Sequence, residues 1–254
     1  MKIIISPAKK MNEDIDLIKY RQLPVFLEET KKILNVMKQM SYKELKDAWK
    51  CSDALAKLNY ERIKNMNLNN NLIPAIFSYE GIQYQYMAPN VFLDKEFEYI
   101  EKHLRILSGF YGILKPFDGV LPYRLEMQAK LKQKDIDSIY DFWNNKIANE
   151  FLEENCIINL ASKEYSKCIK KYIDKKVRII DVVFGEIIDL KVKEKGTLAK
   201  MARGEMVRFM AENDIKEVEK IKEFNRLNFT YNDKLSTKNK YVFIKGGEDV
   251  KRKD

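Results

Sequence analysis

The chain has 254 residues, of which 45% are hydrophobic and 33% charged, and it carries a formal net charge of +9. This length and composition suit one large folded domain, or two closely joined ones, and exclude a disordered chain. One histidine, His103, and three cysteines without C-x-x-C spacing (Cys51, Cys156, Cys168) argue against histidine-rich metal chemistry, a cysteine-rich zinc site and a disulfide framework.

The opening "KIIIS" predicts a short buried strand leading into a proline loop. Its three isoleucines are too few for a signal-peptide core, and no apolar run reaches the roughly 18 residues of a membrane span, which predicts a cytoplasmic protein. Residues 27–66 read as helices, with Ser41 and Glu44 spaced as a capping box. "IPAIFSY" (73–79) reads as a second strand. Asp94 caps a helix whose Phe97, Ile100, Leu104 and Leu107 share one face, and which ends at the corner "LSGFYGILKPF" (107–117). Residues 138–154 are predicted helical, opening on Ser138 and Asp141. The segments 157–162 and 177–184 read as core strands, and 186–192 as a strand hairpinned to the second of them. A helix over 197–213 and a strand over 241–245 complete the series. One domain over 1–245 with a frayed tail over 246–254 follows. The interleaving predicts an α/β fold, a mixed-sheet α+β arrangement being the alternative, in a single compact domain.

Three basic constellations carry the functional reading. In the corner, Gly109 suits the left-handed position beyond a helix, and Gly112 opens a turn whose free N–H groups favour an anion. Arg105 lies one turn back and Lys115 one turn on, a spacing similar to the helix-hairpin-helix that grips a DNA backbone. Pro116 would interrupt the second helix, and a plain glycine-capped helix corner is the competing reading. In "PYRLEM" (122–127), Tyr123 offers a ring to stack on a base and Arg124 a fork for phosphate, unless Glu126 neutralises Arg124 internally. In "TLAKMARGEMVRFMAEN" (197–213), Leu198, Ala202, Met206, Phe209 and Met210 form an apolar side. Lys200, Gly204 and Arg208 lie opposite, flanked by Arg203. A mid-helix glycine costs about 1 kcal/mol against alanine, so bare backbone is wanted there, for a phosphate or beneath a neighbouring helix. Ser6, Lys9 and Lys10 follow the first strand, where α/β sheets often bind ligands. The lysines between 163 and 176 read as a solvated face.

Together, "ISPAK" (5–9), "HLRILSGFYGILKPFD" (103–118), "PYRLEM" (122–127), "INLAS-EY" (158–165) and "K-ARG-M-RF" (200–209) resemble the YaaA peroxide-stress protein family along nearly the whole chain. The resemblance implies a cytoplasmic bacterial protein with a single compact α/β fold. It also implies DNA binding in a positively charged cleft containing a helix-hairpin-helix, and a role in limiting unincorporated iron during peroxide stress. The matching positions are Lys9, Arg105, Gly109, Gly112, Lys115, Tyr123, Arg124, Lys200, Arg203, Gly204 and Arg208. The chain departs from the family at Gly81-Ile82-Gln83-Tyr84, where many relatives read roughly G-D-V-Y, so an acidic group is missing.

From the residues alone, no metal site and no cofactor is expected, and any effect on iron is expected to be indirect. The expected partner is the DNA phosphate backbone, read with little sequence preference, and no membrane. A different class remains open: an enzyme acting on a nucleotide, nucleobase or other phosphorylated small molecule. Lys9, Tyr123, Arg124, Glu126, Lys200 and Arg203 would line its pocket and Glu126 would serve as acid or base. A third is a scaffold whose basic face meets an acidic protein.

Overall fold

Three isoleucines in a row, Ile3 to Ile5, are buried on both sides, as a strand inside a parallel sheet requires. In the computed structural model, which describes residues 1–13 and 18–246, they form β1 (Lys2–Ile5) at the heart of an eight-stranded mixed sheet. The other strands are β2 (Leu104–Ser108), β3 (Gly112–Leu114), β4 (Cys156–Asn159), β5 (Arg178–Ile188), β6 (Lys191–Lys193), β7 (Phe229–Tyr231) and β8 (Lys240–Lys245). Their order is β7-β8-β5-β4-β1-β2-β3, with β6 pairing β5 off this path. Strands β2, β1, β4, β5 and β8 run parallel, while β3, β6 and β7 are antiparallel to their neighbours. The mixed α/β class is the one expected from the interleaved pattern.

The helices named below are α1 (Leu27–Gln39), α2 (Tyr42–Trp49), α3 (Asp53–Asn65), α4 (Ile82–Met87), α5 (Asp94–His103), α6 (Lys163–Lys170) and α7 (Gly196–Glu212). The capping box opens α2: the Glu44 N–H donates to Ser41 Oγ at 3.4 Å, and the Ser41 N–H donates to Glu44 Oε2 at 2.8 Å. Helix α7 lies against α4, α5 and β5.

Several expectations need correction. The segment 73–79 is not one strand: Ile73–Pro74 pairs with Gly119–Val120, Ala75–Ser78 turns once as helix, and Tyr79 joins a two-residue pairing with Lys10–Met11. Residues 138–154 hold two short helices, Ile139–Trp143 and Lys146–Asn149, split where Asn144 turns to positive φ. Strand β5 continues through Gly185 to Ile188, so the hairpin turns at Asp189 and Leu190, both at positive φ. Nearly all of the predicted tail, residues 247–254, lies outside the described residues.

The largest correction concerns the corner at 107–117, which is a β-hairpin and not a helix-hairpin-helix. Helix α5 stops at His103, and Leu104, Arg105 and Ile106 pair in parallel with Ile3, Ile4 and Ile5. The helical phase 97-100-104-107 carries past that end by coincidence, because Leu104 and Leu107 also face core as strand residues. At the turn, the N–H groups of Phe110 and Tyr111 donate to Ser108 Oγ at 3.1 and 2.8 Å. The turn expected to open at Gly112 with free donors is instead the strand β3, and the Ile113 N–H donates to the Tyr111 carbonyl at 3.0 Å.

Candidate functional site at the carboxyl ends of the parallel strands

Because β1, β2 and β4 are parallel, the residues just beyond them meet at one edge of the sheet, where open α/β sheets form their ligand crevices. Three serines mark that edge. The Ser162 N–H donates to Ser6 Oγ at 2.9 Å, and the Ser6 and Ser162 hydroxyls lie 3.3 Å apart. Ser108 Oγ lies 2.6 Å from the Tyr123 hydroxyl, which lies 2.9 Å from the Tyr79 hydroxyl, while Tyr84 donates to the Ser6 carbonyl at 3.0 Å.

Burial pushes the Tyr123 phenol up to about 12 and those of Tyr79 and Tyr84 well above the usual tyrosine range, so all three stay protonated. Tyr123 is buried and stacks on Phe110 with ring centroids 5.0 Å apart. It holds the edge together from beneath and is no free platform for a base.

Above this lattice lies a charged floor. Glu126, only 8% exposed, receives Arg124 Nη2 at 3.0 Å and Lys9 Nζ at 3.2 Å, both on Oε1. The internal Arg124–Glu126 pair weighed from sequence is thus present. Arg124 Nε is buried with no partner, so Glu126 is the one anionic partner of that guanidinium among the described residues. Glu164, at the start of α6, accepts the Gln128 N–H at 3.3 Å. Burial raises the Glu164 carboxyl above the usual range and the Glu126 charge adds to this, against the Gln128 hydrogen bond and Lys9.

A cleft of about 610 Å³ opens over Lys9 and Glu126, walled by the end of α2 and by residues 128–133. Lys50, Lys130 and Lys132 line it and are exposed. Two further carboxylates belong to the wall: Glu44, engaged with Ser41 and Gln133, and the exposed Asp47.

The sequence-derived residues divide. Lys9, Tyr123 and Arg124 converge at this edge, and Gly109 lies beneath it: a Cβ there would strike the Leu125 carbonyl. Gly112 has φ +75°, with the Trp143 and Phe26 rings where a side chain would stand. Gly204 is buried because α4 crosses α7 there, and a Cβ would strike the Gln83 carbonyl. In all three the missing side chain makes room for protein, which for Gly204 is the neighbouring-helix reading.

Arg105 is half-buried and donates to the Glu101 and Leu104 carbonyls at 3.1 and 2.7 Å. Arg203 pairs with Glu194 at 3.2 Å and Arg208 with Glu212 at 2.7 Å. Burial lowers the Arg105 and Arg203 guanidinium pKa values from their usual range. Lys115 and Lys200 are exposed. Sequence reasoning missed Lys50, Lys130 and Lys132: the last two are neighbours in the run 130–134, and only the fold brings them to Lys50 and Lys9.

Among the described residues, no group of three or more His, Cys, Asp and Glu side chains is placed to hold a metal ion, and no helix is long and apolar enough to cross a membrane.

The mixed sheet, with polar side chains collected at the carboxyl ends of its parallel strands, defines an α/β protein with an edge-of-sheet cleft. The chain belongs to the YaaA peroxide-stress family: residues 1–235 match the family described as "Peroxide stress protein YaaA". It is 57% identical over 246 residues to a UPF0246 protein of Desulfitobacterium hafniense, covering 96% of this chain and 98% of the relative. It is 54% identical over 252 residues to a UPF0246 protein of Lachnoclostridium phytofermentans, covering 99% of each. A UPF0246 protein of Pediococcus pentosaceus is 53% identical over 246 residues, 96% of this chain and 98% of its own length.

Proposed function

We propose that this protein serves the peroxide-stress role of its family in the cytoplasm by holding DNA through its phosphate backbone. One observation carries the reading: Lys9, Lys50, Lys130 and Lys132, from three separate stretches of the chain, border one cleft. The net charge of +9 supports it, since a cationic surface draws polyanions at long range. Of the residues singled out from sequence, Lys9, Lys115 and Lys200 are the ones with exposed charges to offer a phosphate. Arg105, Arg124, Arg203 and Arg208 are committed to internal acceptors and shape the surface instead. Binding is insensitive to sequence, because no described helix presents a set of side chains for reading base edges. Any sparing of DNA from iron-driven oxidation works through the bound nucleic acid.

Four lysine–phosphate contacts give a slope of log K against log salt of about −3 to −4. Fluorescence anisotropy with a labelled duplex between about 50 and about 200 mM salt measures it. The triple variant Lys50→Ala, Lys130→Ala, Lys132→Ala should weaken all duplex sequences alike and flatten the slope by about 2 to 3. An affinity unchanged by salt, or a triple variant that binds as the parent does, overturns the reading.

A further inference from the structure

The floor and mouth of the cleft differ in chemistry. At the floor, Glu126 Oε1 takes both Lys9 and Arg124, while Oε2 receives no hydrogen bond among the described residues and lies on a side chain that lines the cavity. Lys9 stands beside it with its side chain 68% exposed, so two of its three ammonium donors are unspent. The floor thus presents an acceptor and a donor side by side. At the mouth, Lys50, Lys130 and Lys132 are exposed, and none of them is ion-paired among the described residues. Glu44 and Asp47 stand on the wall too, but the three ammonium groups outnumber the two carboxylates, and Glu44 is already engaged by Ser41 and Gln133.

A ligand matched to this arrangement has an inner edge carrying an adjacent N–H donor and acceptor, and an anionic outer end. The volume of about 610 Å³ falls within the range of small-molecule sites. A nucleobase edge joined through a sugar to a phosphate has this polarity and this size.

We propose that the cleft binds a free nucleoside monophosphate, with its base edge on Glu126 and Lys9 and its phosphate among Lys50, Lys130 and Lys132. Arg124 is a positioning residue, holding Glu126 in place from behind. This site stands whether or not the rim also holds DNA, because the lysines at the mouth hold either kind of phosphate while the floor alone selects for a free base edge.

Calorimetric titration of the full chain with AMP, GMP, CMP and UMP, and with ribose 5-phosphate and inorganic phosphate, tests the assignment. At least one nucleotide should bind at least about tenfold more tightly than ribose 5-phosphate, the worth of one hydrogen bond to a charged group. Glu126→Gln should bring that nucleotide down to the affinity of ribose 5-phosphate. The surface double variant Lys130→Ala, Lys132→Ala should weaken both ligands about tenfold while melting as the parent does. If Glu126→Gln does not fold, the double variant and the ligand series still decide.

Equal affinity for nucleotide, ribose 5-phosphate and inorganic phosphate overturns the proposal. So does unaltered nucleotide binding by the double variant, or binding of nucleotides only within a nucleic-acid strand. Duplex binding, measured separately, can fail without touching these outcomes, and the nucleotide site can fail while duplex binding persists.

Discussion

The corner at 107–117 and the stretch 122–133 that leads into the cleft wall look alike in sequence, since each sets tyrosine and lysine in one segment with a proline. The fold treats them in opposite ways. In the corner the polar groups find partners inside: Ser108 Oγ takes two backbone N–H groups, the Tyr111 hydroxyl takes the Leu121 N–H at 3.0 Å, and Trp143 Nε1 donates to the Gly109 carbonyl at 2.9 Å. In the cleft three lysines stand exposed around a cavity. A glycine and a lysine at phosphate-binding spacing do not locate a ligand, because what matters is whether the backbone donors are already satisfied.

Four measurements press on that contrast. The largest effect belongs to Gly109→Ala, whose new methyl meets the Leu125 carbonyl; thermal unfolding should register a loss of about 3 kcal/mol.

Next is the pH dependence contributed by Asp118, buried beneath the corner, where it accepts the Lys115 N–H at 2.8 Å and the Gln22 amide at 2.9 Å. Burial pushes its carboxyl up to about 6, against the pull of those two hydrogen bonds. A carboxyl raised on folding makes the native state bind its proton more tightly than the unfolded chain does. Its contribution is therefore fullest below about pH 4 and declines as the pH climbs to about 6, by about 2 kcal/mol. Stability curves for the parent and Asp118→Asn should diverge across that window and run parallel above it. Curves parallel throughout would place Asp118 in a wetter setting than the corner provides.

Tyr123→Phe should cost about 1–2 kcal/mol, since it strands the Tyr79 hydroxyl and one side of Ser108. The smallest effect is expected in the cleft: Lys130→Ala and Lys132→Ala should each leave stability within about 0.5 kcal/mol, because neither side chain is ion-paired among the described residues. A large loss there would mean that the cleft, too, is structural.

Much of the frame was legible locally. The isoleucine run of β1, the capping box of α2, the apolar side of α7 and the β-branched run of β5 are properties of neighbouring residues, and each forms close to where the pattern puts it. The misreadings arose where a distant partner decides. Leu104 to Leu107 satisfy a helix and a strand equally well, and they become a strand because Ile3, Ile4 and Ile5 lie alongside. Gly204 signalled close approach correctly, but the sequence could not say that the approaching group is the backbone of α4. Of the site, Lys9 and Arg124 were legible from the "ISPAK" and "PYRLEM" stretches, and Glu126 as a possible internal counter-ion. Lys50, Lys130 and Lys132 were passed over, since lysines on the surface are ordinary, and nothing local ties the pair Lys130 and Lys132 to Lys50.

The position of β1 bears on how the molecule is made. The strand nearest the start of the chain occupies the middle of the sheet, and both of its neighbours are synthesised much later, β2 after about 100 residues and β4 after about 50 more. During translation three isoleucines wait with both edges open, a condition that invites misassembly and slows folding through distant contacts. Pulse-labelled nascent chains halted before Cys156 should stay protease-sensitive at the N-terminus, and chains that have released β4 should not.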